Sequence, residues 1–388
     1  MQEQLTARAA VVTPQEGGTG PARNASLADI AQALTAQQGR KLDMVVNASA
    51  LRSEGGIIRV AGVEPEITAD GVTLHDRFRP TEVADEGISE KLRIPLAYLR
   101  RMRAEVPDLY DANVNAWLAR EAASRRFMLR TFTGKRDEPG TLRAFVSDQF
   151  KVIDNLDVLL AVLGGIKESG HEVTITGCDL TDRRMVVRIE SEEVRAHAPA
   201  LLKGYRSPFT GQSGDDLPIV SAGLVIANSE VGNGAYTITP RIVVQVCTNG
   251  LTITKDVIRE VHVGAKLDHG IIRWSHETQR KNVELITAQS RDAVATFLDR
   301  AYVEAKLREI EEQAGKPVTD PAKTVEVISK RLKFTDTVRE SVLNHFIRGG
   351  QVTAGGILQA ITATAQTLPD GDAAYELEGQ ALTAMALV

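Results

Sequence analysis

The chain has 388 residues, of which 43% are apolar and 25% charged, and its formal net charge is −5. That length allows a sizeable core and two or three domains, and the composition is that of a globular protein. The acidic total excludes a uniformly basic nucleic-acid binder, and aromatic residues at 4% argue against broad base-stacking platforms.

Charge is unevenly placed. Between Lys91 and Lys151 there are 13 Lys or Arg against 7 Asp or Glu, a local balance of +6 that leaves −11 for the rest. The two cysteines, Cys178 and Cys247, sit in apolar strand-like surroundings. They read as buried thiols in a reducing, cytoplasmic setting. Glu3 and Arg8 stand where a secretory leader would have its apolar stretch, and no apolar run is long enough to span a bilayer.

Residues 1–25 are rich in Gly, Pro and Thr and read as a flexible tail. Ser26 then caps a helix that runs to about Gln38. From Asp43 to Phe78 the text is one of short strands and turns. Pro80-Thr81 opens a helix that stops at Ile94-Pro95, and a second helix follows from Leu96 to Arg103. The pair has the length of a helix-turn-helix, with Arg100, Arg101 and Arg103 as phosphate contacts, or it is a plain packed pair with Tyr98, Leu99 and Met102 buried.

A short helix over Val114–Arg120 precedes two strands, Phe127–Phe132 and Leu142–Val146, joined by the basic loop Gly134–Gly140. Asp154 begins a helix whose Val158, Leu159, Val162, Leu163 and Ile166 give it an apolar face. Strands at Val173–Thr176 and Met185–Ile189 come next. The loop Leu202–Asp216 interleaves basic and aromatic residues and is long enough to be functional.

Ile219–Ala227 and Tyr236–Val246 are apolar runs around Gly232-Asn233-Gly234-Ala235, the signature of a β-hairpin with buried strands. At its ends lie Asn228, Ser229, Glu230, Gly232, Cys247, Asn249 and Gly250, read either as turn chemistry or as a shared binding surface. After Asp256 the text is helical. Glu277–Gln313 forms one long helix or two, and further helices cover Ile328–Leu332, Thr335–Ile347, Thr353–Leu368 and Ala373–Leu387.

These elements predict an α+β fold, an antiparallel sheet with helices on one face followed by an all-helical C-terminal region. The predicted units are a tail at 1–25, an α+β core at 26–262 and a helical region at 263–388.

No catalytic motif is recognisable. Gly134-Lys135 lacks the phosphate-loop frame, and Gly211–Gly214 lacks the nucleophile-elbow frame. His262, His269 and His276 recur every seven residues, but Gly264 and Gly270 interrupt any helix that would align them, so no metal site is assigned. Asp215-Asp216 reads as an exposed acidic turn. No cofactor is expected.

Five stretches in order, Ile88–Met102, Arg143–Asn155, Gly204–Asp216, Asn228–Ala235 and Val246–Leu251, resemble the domain-of-unknown-function 932 family of phage- and plasmid-like proteins. The resemblance runs from about Pro80 to the C-terminal helices. It implies an association with phage or mobile-element genomes and supplies no catalytic residues.

The expected function is non-enzymatic binding of nucleic acid, single-stranded DNA in an annealing-like role. Its expected contacts are Arg125, Arg126, Arg130, Lys135, Arg136, Lys203, Tyr205, Arg206 and Phe209. The alternative is an interaction module that forms homo-oligomers through its C-terminal helices, with no nucleic-acid role.

Overall fold

The structure is a computed structural model that describes residues 7–15, 20–68, 71–135, 138–247, 249–260, 270–271 and 276–388. The N-terminal elements are β1 (Ala22–Ala25), α1 (Leu27–Gln38), β2 (Met44–Asn47), β3 (Leu51–Glu54), β4 (Ile57–Val60), β5 (Glu66–Thr68), β6 (Gly71–Thr73) and β7 (Arg77–Pro80). Three helices follow, α2 (Glu82–Leu92), α3 (Leu96–Glu105) and α4 (Pro107–Leu118), then β8 (Arg126–Phe132), β9 (Gly140–Ser147) and α5 (Asn155–Ser169). The central stretch holds β10 (Thr174–Leu180), β11 (Met185–His197), α6 (Pro199–Leu202), β12 (Ile219–Asn228), β13 (Tyr236–Val244), β14 (Asn249–Thr252), β15 (Ile258–Glu260) and β16 (Gly270–Ile271). The chain ends in α7 (His276–Phe297), α8 (Arg300–Ala314), α9 (Pro321–Leu332), α10 (Asp336–Gly349), α11 (Ala354–Thr367) and α12 (Gly371–Ala386).

The fold is α+β, as expected, but the strands form two large sheets. In the first the order is β1-β10-β11-β12-β13-β14, with β15 also paired to β13, and every pairing is antiparallel. The second runs β16-β2-β8-β9-β7-β4-β3 and contains one parallel pair, β7 with β9. A small hairpin, β5 with β6, rises from the connection between β4 and β7.

The predicted hairpin is the centre of the first sheet. Ala227 pairs with Thr237 beside the turn, and nearly every residue of β12 and β13 is buried. Pro240 falls between the stretch of β13 that pairs with β15 and the stretch that pairs with β14. A residue with no N–H is tolerated at such a changeover.

Side-chain alternation splits the sheet's two faces. Tyr236 faces α7, its hydroxyl 3.2 Å from Ser290 Oγ, whereas Arg241 faces α12 and donates to Glu378 at 2.9 Å. Helices therefore cover both faces, not one. The α7–α12 residues Ile286, Val294, Leu307, Ile357 and Leu377 share one apolar core with Met185, Val187, Leu224 and Ile238. The boundary drawn at 262 lies outside the described residues, and the segments on either side of it build this common core.

The second sheet has a core of its own, in which Ile58, Phe78, Phe127, Leu129 and Phe145 pack against Ile88, Leu99, Tyr110 and Val114 of α2–α4. Within it Leu99 and Met102 are buried while Tyr98 stays exposed. Arg100 bonds Glu86 at 3.0 Å and Arg103 bonds Asp85 at 2.6 Å, so two of the three arginines of the helix-turn-helix reading are held by α2.

The long C-terminal helix text resolves into α7 and α8, broken where Asp299 caps Tyr302. Asp320, Thr335, Thr353 and Asp370 cap the helices that follow, each by accepting backbone N–H bonds in the first turn.

Candidate nucleic-acid interface

The turn at the end of the β12–β13 hairpin inserts into the second sheet. Asn228 Nδ2 donates to the Ile153 carbonyl at 3.0 Å and to Asn155 Oδ1 at 2.8 Å. Ser229 Oγ donates to the Arg183 carbonyl at 2.7 Å and accepts from the Asn233 amide at 3.0 Å. Gly232 adopts φ +89°, and a Cβ there would approach Val146 at 3.2 Å, so the turn needs glycine for both its conformation and its fit.

Glu230 is the hub of the junction. Its carboxylate accepts from Lys41 Nζ at 3.0 Å, from the Asn155 amide at 2.6 Å and from Arg143 Nη1. Arg130 lies beneath it with a side chain 0% exposed. That guanidinium donates to the Glu230 backbone carbonyl at 2.8 Å, to Asp154 at 2.6 Å and to Asp43 at 3.0 Å. Three cations thus meet Asp43, Asp154 and Glu230 in one buried cluster. Burial pushes the Glu230 carboxyl up, but Lys41, Arg143 and Arg130 outweigh it and hold the group well below the usual carboxylate range. Asp157, nearby on α5, is raised to about 6 by burial and by the charge of Asp154.

Arg130 cannot meet a phosphate from this position. The sequence expectation is corrected there because its partners come from β2's approach, α5's cap and the hairpin turn, which close over it. Tyr205 is likewise buried, at 2% exposure, against Gly349.

The other predicted contacts are scattered. Arg125 rests over the Phe127 ring at 4.9 Å, Arg126 faces Asp148 at 3.5 Å, and Lys135 is exposed on the β8–β9 loop. Arg136 lies outside the described residues. Lys203 and Arg206 are exposed, but their loop is tied down: the Arg206 amide donates to the Gly349 carbonyl at 2.9 Å, and Thr210 Oγ1 donates to Val246 O at 2.8 Å. Phe209 is half-buried under Arg8, 5.1 Å from its ring centre. This loop belongs to the first sheet and the C-terminal helices, whereas Arg125–Lys135 belongs to the second sheet, and the two segments are not brought together.

The remaining residues from the hairpin's ends serve the first sheet. Cys247 is buried and its carbonyl accepts from Arg8 at 2.6 Å, while Asn249 opens β14 opposite Val244. Gly250 makes room for Arg241, since a Cβ there would sit 1.7 Å from Arg241 Nε. Asp215 accepts from the Gly204 amide at 3.2 Å. His262 and His269 lie outside the described residues.

Sequence reasoning missed a different basic surface. In the second sheet Arg52 on β3 stands directly opposite Arg59 on β4, and Arg59 opposite Arg77 on β7. Arg79 follows two residues along β7, on the same face, and all four are exposed. Glu54 lies 3.4 Å from both Arg52 and Arg59, and Asp76 holds Arg59 at 3.0 Å. The alternate residues Ser53, Ile58, Val60 and Phe78 are buried under α2–α4.

The row leads into a cleft of about 180 Å³ where the two sheets meet, lined by Thr141, Arg143, Arg40 and Arg183. Arg143 and Arg40 stand over the Phe132 ring at 4.0 and 5.5 Å. The signal was present in the text as period-two alternation, Leu51-Arg52-Ser53, Ile58-Arg59-Val60 and Arg77-Phe78-Arg79-Pro80.

No family model, curated protein or solved structure matches the chain. Among the described residues no helix is long and apolar enough to cross a membrane.

Proposed function

We propose that this chain is a non-enzymatic protein of the phage or mobile-element type that binds single-stranded nucleic acid along the open arginine face of its second sheet. The observation that carries the reading is the cross-strand row Arg52–Arg59–Arg77, continued by Arg79. Arg59 at the centre is held in its charged form by Asp76 and Glu54, and the row sets exposed guanidinium groups side by side, an array that matches the repeated charge of a polyanion. Arginine pairs with phosphate oxygens through its planar fork of donors, and neighbouring strands about 4.8 Å apart let successive side chains follow a flexible backbone.

Recognition on this face is of the phosphate backbone. Phe132, capped by two guanidinium groups and 9% exposed, offers no stacking platform.

The test is a salt titration of binding to labelled single- and double-stranded oligonucleotides, with R52E/R79E as the variant. Four phosphate contacts on a single strand give a slope of log K against log salt of roughly −3. The double variant should weaken binding at least about tenfold and flatten that slope, whereas K203E/R206E on the remote loop should leave both unchanged. Absence of binding at low salt, or equal binding by R52E/R79E, ends this reading.

A further inference from the structure

The face of the first sheet that lies under α11 and α12 encloses a second basic site, unrelated to the arginine row. Arg23, Arg188 and Arg241 are buried there, at 4, 7 and 6% exposure, and all three line a cavity of about 570 Å³ between the sheet and the two helices. Arg23 is fully used. It grips Asp179 at 2.9 Å and donates to the Ala365 and Leu368 carbonyls at the end of α11, each at 3.3 Å. Arg241 is held by Glu378 at 2.9 Å, and Glu378 also accepts from Thr252 Oγ1 at 2.7 Å.

Arg188 is the exception. Its Nη2 reaches Asp179 at 2.7 Å, already shared with Arg23, while its Nη1 meets no hydrogen-bond acceptor among the described residues. The third carboxylate on this wall, Glu190, is turned to Ser221 and to Gln245, the latter at 2.7 Å. Arg8 stands at the cavity mouth. Among the described residues, the lining's four arginines thus stand with Glu190, Glu378 and the adjoining Asp179, one positive charge in excess. Burial lowers the Arg241 pKa, Glu378 opposes that, and the like charge of Arg188 adds to it. A buried guanidinium with an unmet donor costs free energy until an acceptor supplies the missing bond.

We infer that this cavity binds a small organic anion, its phosphate or carboxylate head placed against Arg188 and its body between β11, β13 and α12. The volume lies within the several hundred Å³ usual for small-molecule sites, and the walls mix the charged groups with Val243, Ala365 and Ala374. An oxyanion head neutralises the excess charge, and a turn of the Arg188 guanidinium, whose Nη1 is buried in the structure, brings its unmet donor to the head.

Isothermal titration calorimetry of the full chain with inorganic phosphate, adenosine monophosphate and citrate separately tests this and identifies the head group. At least one of the three should bind. R188Q should weaken that binding by at least tenfold, and Val11→Asp, which places a negative charge on an exposed residue of the cavity wall, should weaken it severalfold without touching the buried cluster. R52E/R79E should bind the same anion unchanged. If R188Q does not fold, Val11→Asp decides. Silence from all three anions, or binding that neither variant weakens, overturns the inference.

Discussion

One face of the second sheet carries arginines from β8 across β9, β7 and β4 to β3, yet the two parts of that span use them in opposite ways. Over β8 and β9 the face is covered by the hairpin turn of the first sheet, and Arg130 and Arg143 are matched there to Asp43, Asp154 and Glu230. Over β3, β4 and β7 the face is open, and Arg52, Arg59 and Arg77 stand in register, with Glu54 and Asp76 as the carboxylates that reach Arg52 and Arg59 among the described residues. The difference teaches that local basic density says little about binding. What matters is whether distant carboxylates arrive to consume the charge.

Removing the hub of the covered half should have the largest effect. Glu230→Ala leaves Lys41, Arg130 and Arg143 buried without their shared anion, and breaking a buried pair in this way costs about 3–5 kcal/mol. The urea unfolding midpoint should fall accordingly. A loss below about 1 kcal/mol would mean that the junction is solvated and that the two halves do not differ as described.

A smaller effect, with a pH signature, is expected at the rim of the same cluster. Asp157 keeps its proton to about pH 6 in the folded chain, against 3.8 for an ordinary aspartate. The folded state therefore binds the proton more tightly, and stability falls as pH rises from about 4 to 6, with the full cost present above that window. Asp157→Asn cannot ionise. It should be more stable than the parent by about 1–2 kcal/mol at pH 8, allowing for partial solvent screening, and equal to it below pH 4. Thermal melts across that range that show a constant difference would remove the burial argument for this group.

How far each half could be read from the sequence follows from the same contrast. The helix starts at Ser26, Thr81 and Thr335 were legible because a cap and its N–H partner are three residues apart. The β12–β13 hairpin was legible because its turn and its register are local. Arg130 was misplaced because its partners lie 24, 87 and 100 residues away, and no window of the chain contains them.

The strand β11 also runs on to His197, past the apolar stretch ending at Ile189, because Ser191 and Arg195–His197 pair with β12 across a bulge. The arginine row was hidden for a related reason. Each member sits in a strand of four residues, and their alignment exists only in the pairing of β3 with β4 and β4 with β7. Alternation could give the face of each arginine, but only the sheet order could place them side by side.

The open half gives the smallest change in stability and the clearest separation of stability from binding. Arg52 has a side chain 72% exposed, and Glu54 lies 3.4 Å from it. Exposed substitutions of this kind shift stability by no more than about 0.5 kcal/mol, and removing Arg52 also relieves its like-charge neighbour Arg59. Arg52→Thr keeps a good strand former on the pleated surface. It should melt within a degree or two of the parent while the salt slope for single-stranded DNA becomes shallower by about 0.7, the share of one phosphate contact. The opposite pattern, an unchanged slope with a clear loss of stability, would place Arg52 with the structural arginines of the covered half and leave the row without a ligand.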